Sequence, residues 1–241
     1  VTQHIHFISD LHLTQDRPEN TQRFLAYLES LSSDVSALYI LGDLFDVWVG
    51  DDDPTPPNEA VKTHLAKVTS KGVKVYFLAG NRDFLVGKKF FADTQVVSLE
   101  DEYIIDLFGT STLLMHGDLL CSDDVEYQKF RDLTHTPEWQ QSILSKPLQE
   151  RLAMAQHYRQ ESHLNKANKS MEIMDVNTST VVNYVKKHQV KRLIHGHTHR
   201  PDIHSHIADG EEIERFVLAE WDHSGSVLDW SEDGYQLIEL S

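Results

Sequence analysis

Five short runs along the chain end in side chains of the kind that bind metal ions. They are Asp10-Leu11-His12, Gly42-Asp43, Gly80-Asn81-Arg82-Asp83, His116-Gly117-Asp118 and Gly196-His197-Thr198-His199. Their donors are imidazoles, carboxylates and one amide oxygen, with no sulfur. That mixture suits Mn2+, Fe2+, Co2+ or Zn2+ better than Ca2+, which takes all-oxygen cages. Seven donors, Asp10, His12, Asp43, Asn81, His116, His197 and His199, are too many for one closed site of four. They fit two ions about 3.5–4 Å apart with room for water. Asp43 is the natural bridge, because a carboxylate has two oxygens to share. Such a pair of ions attacks a phosphate ester or phosphoanhydride with an acidified water. Each motif alone is weak, since Asp-x-His and Gly-Asn are mostly loops and turns. The order of all five carries the reading.

Each motif follows an apolar run that reads as a strand. These runs are His4–Ile8, Ala37–Leu41, Val73–Ala79, Thr112–Met115 and Arg192–Ile194. Helical spacing lies between them, with Phe24, Leu25, Leu28 and Leu31 on one face and Val61, Leu65 and Val68 in step within Asn58–Ser70. Strands alternating with helices predict an α/β layered domain. In an open α/β sheet the ligand crevice lies past the carboxyl ends of the strands, where all five motifs sit. Glycines 42, 80, 117 and 196 allow tight turns there. Asp51–Pro57 is a loop stiffened by three prolines. Further strand-like runs follow at Ile213–Ala219, Ser226–Trp230 and Tyr235–Leu240.

The stretch from Ser122 to Lys169 is nearly free of strand signals. Pro137 and Pro147 open separate helices at their first turns. The expected organisation is a core over residues 1–121 and 176–241, with residues 122–175 as a helical insertion forming a lid. If Gln149–Ser170 is one helix, Arg159, Ser162, Lys166 and Lys169 share a face. Three cations and a hydroxyl there suit phosphates or sugar hydroxyls. The alternative is an ordinary solvated face. Trp139, Ile143, Leu144, Leu148, Leu152 and Met154 either line an apolar groove or pack the insertion onto the core.

The chain has 241 residues, enough for one large domain with an insertion, and a formal charge of −16. That acidity disfavours a nucleic-acid footprint. Residues 146–200 nevertheless hold ten Lys/Arg against four Asp/Glu, which points to an anionic partner on one side. A single cysteine, Cys121, excludes an internal disulfide and suits a reducing compartment. The first nine residues have no basic leader pattern, so no signal peptide is read. No apolar stretch is long enough to span a membrane.

The order Asp-x-His, Gly-Asp, Gly-Asn-x-Asp, His-Gly-Asp, Gly-His-x-His resembles that of the calcineurin-like metallophosphoesterases. That resemblance implies a two-sheet β-sandwich flanked by helices. Most of that family carries Gly-Asn-His where this chain has Gly80-Asn81-Arg82. Arginine there resembles the subgroup acting on UDP-2,3-diacylglucosamine in bacterial lipid A synthesis. The stretches Leu44–Asp52 and Ile194–Pro201 match that subgroup, as does the position of the helical insertion. The resemblance implies Mn2+, two ions per chain. Asp10, His12, Asp43 and His199 would hold one ion, and Asp43, Asn81, His116 and His197 the other. It implies substrate contacts at Asn81, Arg82, Asp124, Ser162, Lys166, Lys169 and His197, and a catalytic set of Asp43, Asn81 and Arg82.

The implied reaction splits the pyrophosphate bond to give UMP and the diacylglucosamine 1-phosphate. The leaving group is already a stable anion, so Arg82 can replace an acid and steady the equatorial oxygens. Asp83 is expected to orient Arg82 or a ligand. The implied partners are a lipid-linked sugar nucleotide and, peripherally, an anionic membrane surface on the cytoplasmic side of the inner membrane. No nucleic acid and no obligate protein partner are expected. The rivals are a phosphoesterase for soluble nucleotides and an inactive scaffold, the latter disfavoured by the full set of donors.

Overall fold

Strand β1 (His4–Ile8) is buried on both faces at its carboxyl end, because Phe7 and Ile8 point into two different cores. The computed structural model describes residues 2–167 and 174–241, with side chains described for 2–161 and 174–241. After β1 come α1 (Pro18–Ser30), β2 (Val35–Leu41), α2 (Asn58–Ser70), β3 (Lys74–Leu78), α3 (Lys88–Thr94) and β4 (Val97–Leu99). Then follow β5 (Tyr103–Leu107), β6 (Thr110–Leu114), α4 (Val125–Thr134), α5 (Pro137–Leu144), α6 (Leu148–Ala167) and α7 (Thr178–His188). The chain closes with β7 (Arg192–His195), β8 (Asp202–Ala208), β9 (Glu211–Val217), β10 (Gly225–Ser231) and β11 (Gly234–Leu240).

The strands form two sheets. One has the order β11-β10-β1-β2-β3-β4, the other β5-β6-β7-β9-β8. The first is parallel from β1 through β4 and antiparallel at β10 and β11. The second has a parallel centre, β6-β7-β9, with antiparallel edges. A single open sheet, the picture that strand–helix alternation favours, is therefore corrected to a sandwich. The chain switches sheets after β4, a strand of only three residues, and β8 mixes histidines and a serine with its isoleucines, so neither is read from sequence.

Three apolar layers hold the sandwich. Phe24, Leu28, Val61, Leu65 and Phe90 seat α1, α2 and α3 on the outer face of the first sheet. Phe7, Tyr39, Leu41, Leu114, Ile194 and Phe216 fill the space between the sheets. Leu113, Leu193, Val181 and Val185 seat α7 on the second. The carboxyl ends of β1, β2, β3, β6 and β7 consequently face one another across the joint between the sheets.

Helices α4, α5 and α6 lie in the stretch expected to be inserted. Pro137 sits in the first turn of α5, and Thr136 caps it by accepting from the Trp139 amide. Helix α6 is tied to the loop after β2. Arg151, itself buried, donates to both carboxylate oxygens of Asp52 at 2.8 and 2.5 Å and to the Val49 carbonyl at 2.6 Å. Arg159 reaches Asp46 at 2.6 Å.

Candidate metal centre

All seven expected donors come together where the two sheets meet. Asp10, His12, Asp43 and Asn81 arrive from the first sheet, His116, His197 and His199 from the second. The loops that carry them are zipped by main-chain bonds. Asp10 N donates to Gly42 O at 3.0 Å, His12 N to Asp43 O at 2.9 Å, and Gly196 N to His116 O at 2.8 Å. Bonds also cross between the sheets: His116 Nδ1 donates to Leu41 O at 2.9 Å, and His197 N donates to Asp10 Oδ2 at 2.8 Å.

The backbone is bent to deliver these side chains. Asp10, His12, Asp43, His197 and His199 all have φ between 47° and 70°. Non-glycine residues seldom take this left-handed conformation, and strain of this type gathers where function needs it. Gly42 is required twice over. Its φ is +89°, and a Cβ there would lie 2.5 Å from His116 Nδ1 and 2.7 Å from the Gly80 backbone. A Cβ on Gly196 would collide with Ser9 and Asp10.

The donor atoms fall into two overlapping sets. Asp10, His12 and His199 offer atoms within 4.8 Å of one another, as do Asp10, Asp43 and His116. Asn81 Oδ1 is 3.0 Å from both His116 Nε2 and His197 Nδ1. Asp43 Oδ2 lies between the sets, 3.9 Å from His12 Nε2 and 3.7 Å from His116 Nε2. The atoms suit cations and little else. Asp10 Oδ1 is enclosed without a hydrogen-bond partner among the described residues; His199 Nε2 approaches it to 3.3 Å without hydrogen-bonding alignment. His12 Nε2 faces His199 Nε2 at 3.3 Å, and His197 Nδ1 faces His116 Nε2 at 3.2 Å. Facing ring nitrogens beside an unpartnered buried carboxylate oxygen are the arrangement that a divalent ion would resolve.

Protons show the same demand for positive charge. Burial pushes the Asp43 carboxyl up to about 7, with Asp83 and Asp10 adding to the effect. Burial would depress His116 and His199, yet facing carboxylates outweigh it. Asp43 and Asp10 raise His116 to about 9, and Asp10 and Glu220 raise His199 to about 10. His12, lacking such dominance, is lowered to about 4 by burial.

A cavity of about 650 Å³ opens beside this cluster. Asn81, Arg82, Asp124 and His197 are among its polar lining residues, and Trp48, Phe84, Trp139, Ile143, Met154 and Tyr158 among its apolar ones. Of the six apolar insertion residues singled out from sequence, Trp139, Ile143 and Met154 reach the cavity, while Leu144 is exposed on α5. Ser162 and Lys166 fall on α6, but their side chains, and Lys169 altogether, lie outside the described residues. Asp124 caps α4, accepting from the Tyr127 amide at 3.1 Å.

Asp83 departs from one expected role. It does not orient Arg82; it is fully buried and accepts from the amides of Gly80 at 2.8 Å, Asp43 at 3.3 Å and Phe45 at 3.3 Å, fixing the Asp43 loop instead. Arg82 is held through its own amide, which donates to Asp43 Oδ1 at 2.9 Å, leaving its side chain at the cavity. Sequence reasoning missed three supports. Asp118 accepts from Tyr127 Oη at 2.6 Å and Arg131 Nε at 2.7 Å, linking α4 to the His116 loop. Asp46 ties α6 to the core. Glu220 lies 2.8 Å from His199 Nδ1. The Asp118 signal was present in His-Gly-Asp; the other two sit in runs without any ligand spacing.

Comparison with known proteins places these features in context. The family model described as calcineurin-like phosphoesterase matches residues 3–201. A protein named UDP-2,3-diacylglucosamine hydrolase from Enterobacter sp. (strain 638) is 45% identical over 234 residues, covering 97% of this chain and 98% of its own length. One of the same name from Vibrio parahaemolyticus is 44% identical over 232 residues, covering 96% of each. Among solved structures, an archaeal phosphodiesterase superposes with a TM-score of 0.50 at 12% identity, covering 99% of this chain and 100% of the other. That likeness concerns the fold.

Proposed function

Because the chain belongs to the calcineurin-like phosphoesterases, we propose that it hydrolyses the pyrophosphate bond of UDP-2,3-diacylglucosamine, giving UMP and 2,3-diacylglucosamine 1-phosphate. The observation that carries this reading is the joining of a metal-ligand cluster to a cavity lined by both polar and large apolar side chains. A nucleoside diphosphate needs the first and acyl chains need the second. The names of the full-length relatives support the same substrate.

Asp10, His12, Asp43 and His199 would hold one divalent ion, and Asp43, Asn81, His116 and His197 a second, with Mn2+ the expected metal. Bound there, such ions supply a water acidic enough to attack at neutral pH and offset the charge of the diphosphate. The chain's own residues do the rest. Arg82, anchored through its amide to Asp43, presents a fixed charge to the phosphorus under attack. Asn81 and His197 border both the cluster and the cavity and so position the phosphate nearest uridine. Trp48, Phe84 and the insertion residues keep bulk water from the reacting end. Asp124, with Ser162, Lys166 and Lys169, completes the substrate contacts.

Residues 122–175 act as the lid over a core of residues 1–121 and 176–241. The lid docks at the cytoplasmic face of the bacterial inner membrane. Val125 and Leu133 on α4 and Leu144 on α5 are exposed apolar side chains that fit this contact. Among the described residues no helix is long and apolar enough to cross a membrane; the contact proposed is a peripheral one. Hydrolysis in ¹⁸O-labelled water tests the proposal. Label in UMP is expected, since the attacked phosphorus is the one bonded to uridine. Label confined to the lipid phosphate, or no cleavage, would overturn it.

A further inference from the structure

We propose that Glu220 is a positioning residue for the metal centre, accepting the Nδ1 proton of His199 and so fixing the tautomer that leaves Nε2 as the ligand atom. The inference rests on the metal-centre reading above and extends it to a residue outside the ligand motifs. Glu220 Oε2 lies 2.8 Å from His199 Nδ1. On the opposite side of the ring, Nε2 is 3.3 Å from Asp10 Oδ1 and 3.3 Å from His12 Nε2. The imidazole is thus held between an outer carboxylate and the ligand cluster. In metal centres such an outer acceptor sets the ring's orientation and raises its basicity.

Glu220 is itself held firmly. The two residues flanking Ala219-Glu220 are stitched to the two loops that carry ligands. Leu218 N donates to His195 O at 2.7 Å, and Trp221 N donates to Asp10 O at 3.0 Å. Trp221 is fully buried, and its Nε1 donates to Ser226 O at 3.0 Å. Asn20, also fully buried, donates to the Trp221 carbonyl at 2.5 Å. The loop after β9 therefore cannot shift without disturbing the backbone of Asp10.

The ligand needs this support. His199 has a φ of 53° and is the more exposed end of its set, with about a third of its side chain accessible against 7% for His12. His116, by comparison, obtains its outer acceptor from the main chain at Leu41 O. Among the described residues His199 Nδ1 meets no main-chain carbonyl, and the Glu220 carboxylate takes that place. A carboxylate serving His199 only as orienter can be replaced by an amide oxygen; a carboxylate bound directly to the ion would lose its charge in that replacement, and affinity with it.

The test uses the full chain stripped of metal by a chelator and titrated with Mn2+, with free Mn2+ followed by electron paramagnetic resonance. The wild-type protein is expected to bind two ions. Glu220→Ala is expected to weaken one site by about 10–100-fold, the usual cost of losing such an acceptor, while the other stays within a few-fold. Glu220→Gln, whose amide oxygen still accepts from Nδ1, is expected to recover most of the affinity, and the far-ultraviolet circular dichroism of the metal-free protein is expected to be unchanged in both variants. Wild-type affinity in Glu220→Ala would overturn the inference, and so would equal losses in the Gln and Ala variants. Absence of Mn2+ binding by the wild type would instead overturn the metal centre itself.

Discussion

Arg82 occupies a position where its charge has one use. Its amide is bound to Asp43 and its side chain faces the cavity. Removing the guanidinium should therefore slow the chemical step without emptying the centre. Arg82→Ala is expected to lower kcat by roughly 10²–10³-fold, the usual cost of losing a charge-stabilising donor, with metal content by elemental analysis unchanged. Loss of metal in that variant would show that Arg82 supports the ligands instead. The histidines give a second prediction, one of pH. In the metal-free protein His116 and His199 are raised to about 9 and about 10 by their facing carboxylates. Raised histidine pKa values stabilise the fold below the unfolded value of 6.5, and that contribution is lost as pH climbs through 9 and 10. Asp43, raised to about 7 by burial, has already cost stability between its ordinary 3.8 and that value. Metal-free protein should melt at falling temperature as pH rises from 6.5 to 9. Because ions and protons compete for the same atoms, Mn2+ should raise the melting temperature more at pH 8.5 than at pH 6.5. An equal increment at both values would mean that these side chains are not the ligands.

The helices of the insertion are held to the core by the apolar side chains Trp139, Ile143 and Met154 and by charged contacts. Arg151 is the firmest, spanning from α6 to Asp52 and the Val49 carbonyl. Arg151→Ala would leave that carbonyl without its donor. The melting temperature is expected to drop by roughly 3–6 °C, the response of a chain this size to losing about 1–2 kcal/mol. Hydrogen exchange should quicken along α6 and leave β1 and β2 as they were; uniform quickening would mean that the insertion and core unfold together. Elements of this protein were legible in sequence where apolar spacing was long or unmixed. His4–Ile8 and Asn58–Ser70 match their observed bounds, and Pro137 marks the start of α5. The second sheet was not legible as a separate layer. Its edge strand β8, Asp202–Ala208, alternates isoleucines with polar residues and histidines, and α3 is too short to show a helical period. The ligands were readable because metal chemistry restricts residue type. Their supports were not, since Glu220 meets His199, and Asp46 meets Arg159, only through tertiary packing.

Charge is distributed unevenly over the molecule. The net is −16, yet residues 146–200 carry ten Lys/Arg against four Asp/Glu. Exposed Val125, Leu133 and Leu144 lie just before that stretch, on α4 and α5. The exposed apolar side chains are the feature that supports the proposed contact with a bilayer. Replacing Val125 and Leu133 together by glutamate is expected to reduce sedimentation with vesicles containing anionic lipid, while leaving Mn2+ uptake unchanged. Undiminished sedimentation would contradict the proposed membrane contact of these helices. The most direct measurement is of products: UMP released in the presence of Mn2+ from UDP-2,3-diacylglucosamine, beside UDP-N-acetylglucosamine, ADP-ribose and bis-p-nitrophenyl phosphate. Joining the metal cluster to an apolar cavity predicts selective cleavage of the diacylated sugar nucleotide and no cleavage without metal. Cleavage of the small esters alone would contradict the lipid substrate, and failure to cleave any of them with metal bound would contradict the hydrolase itself.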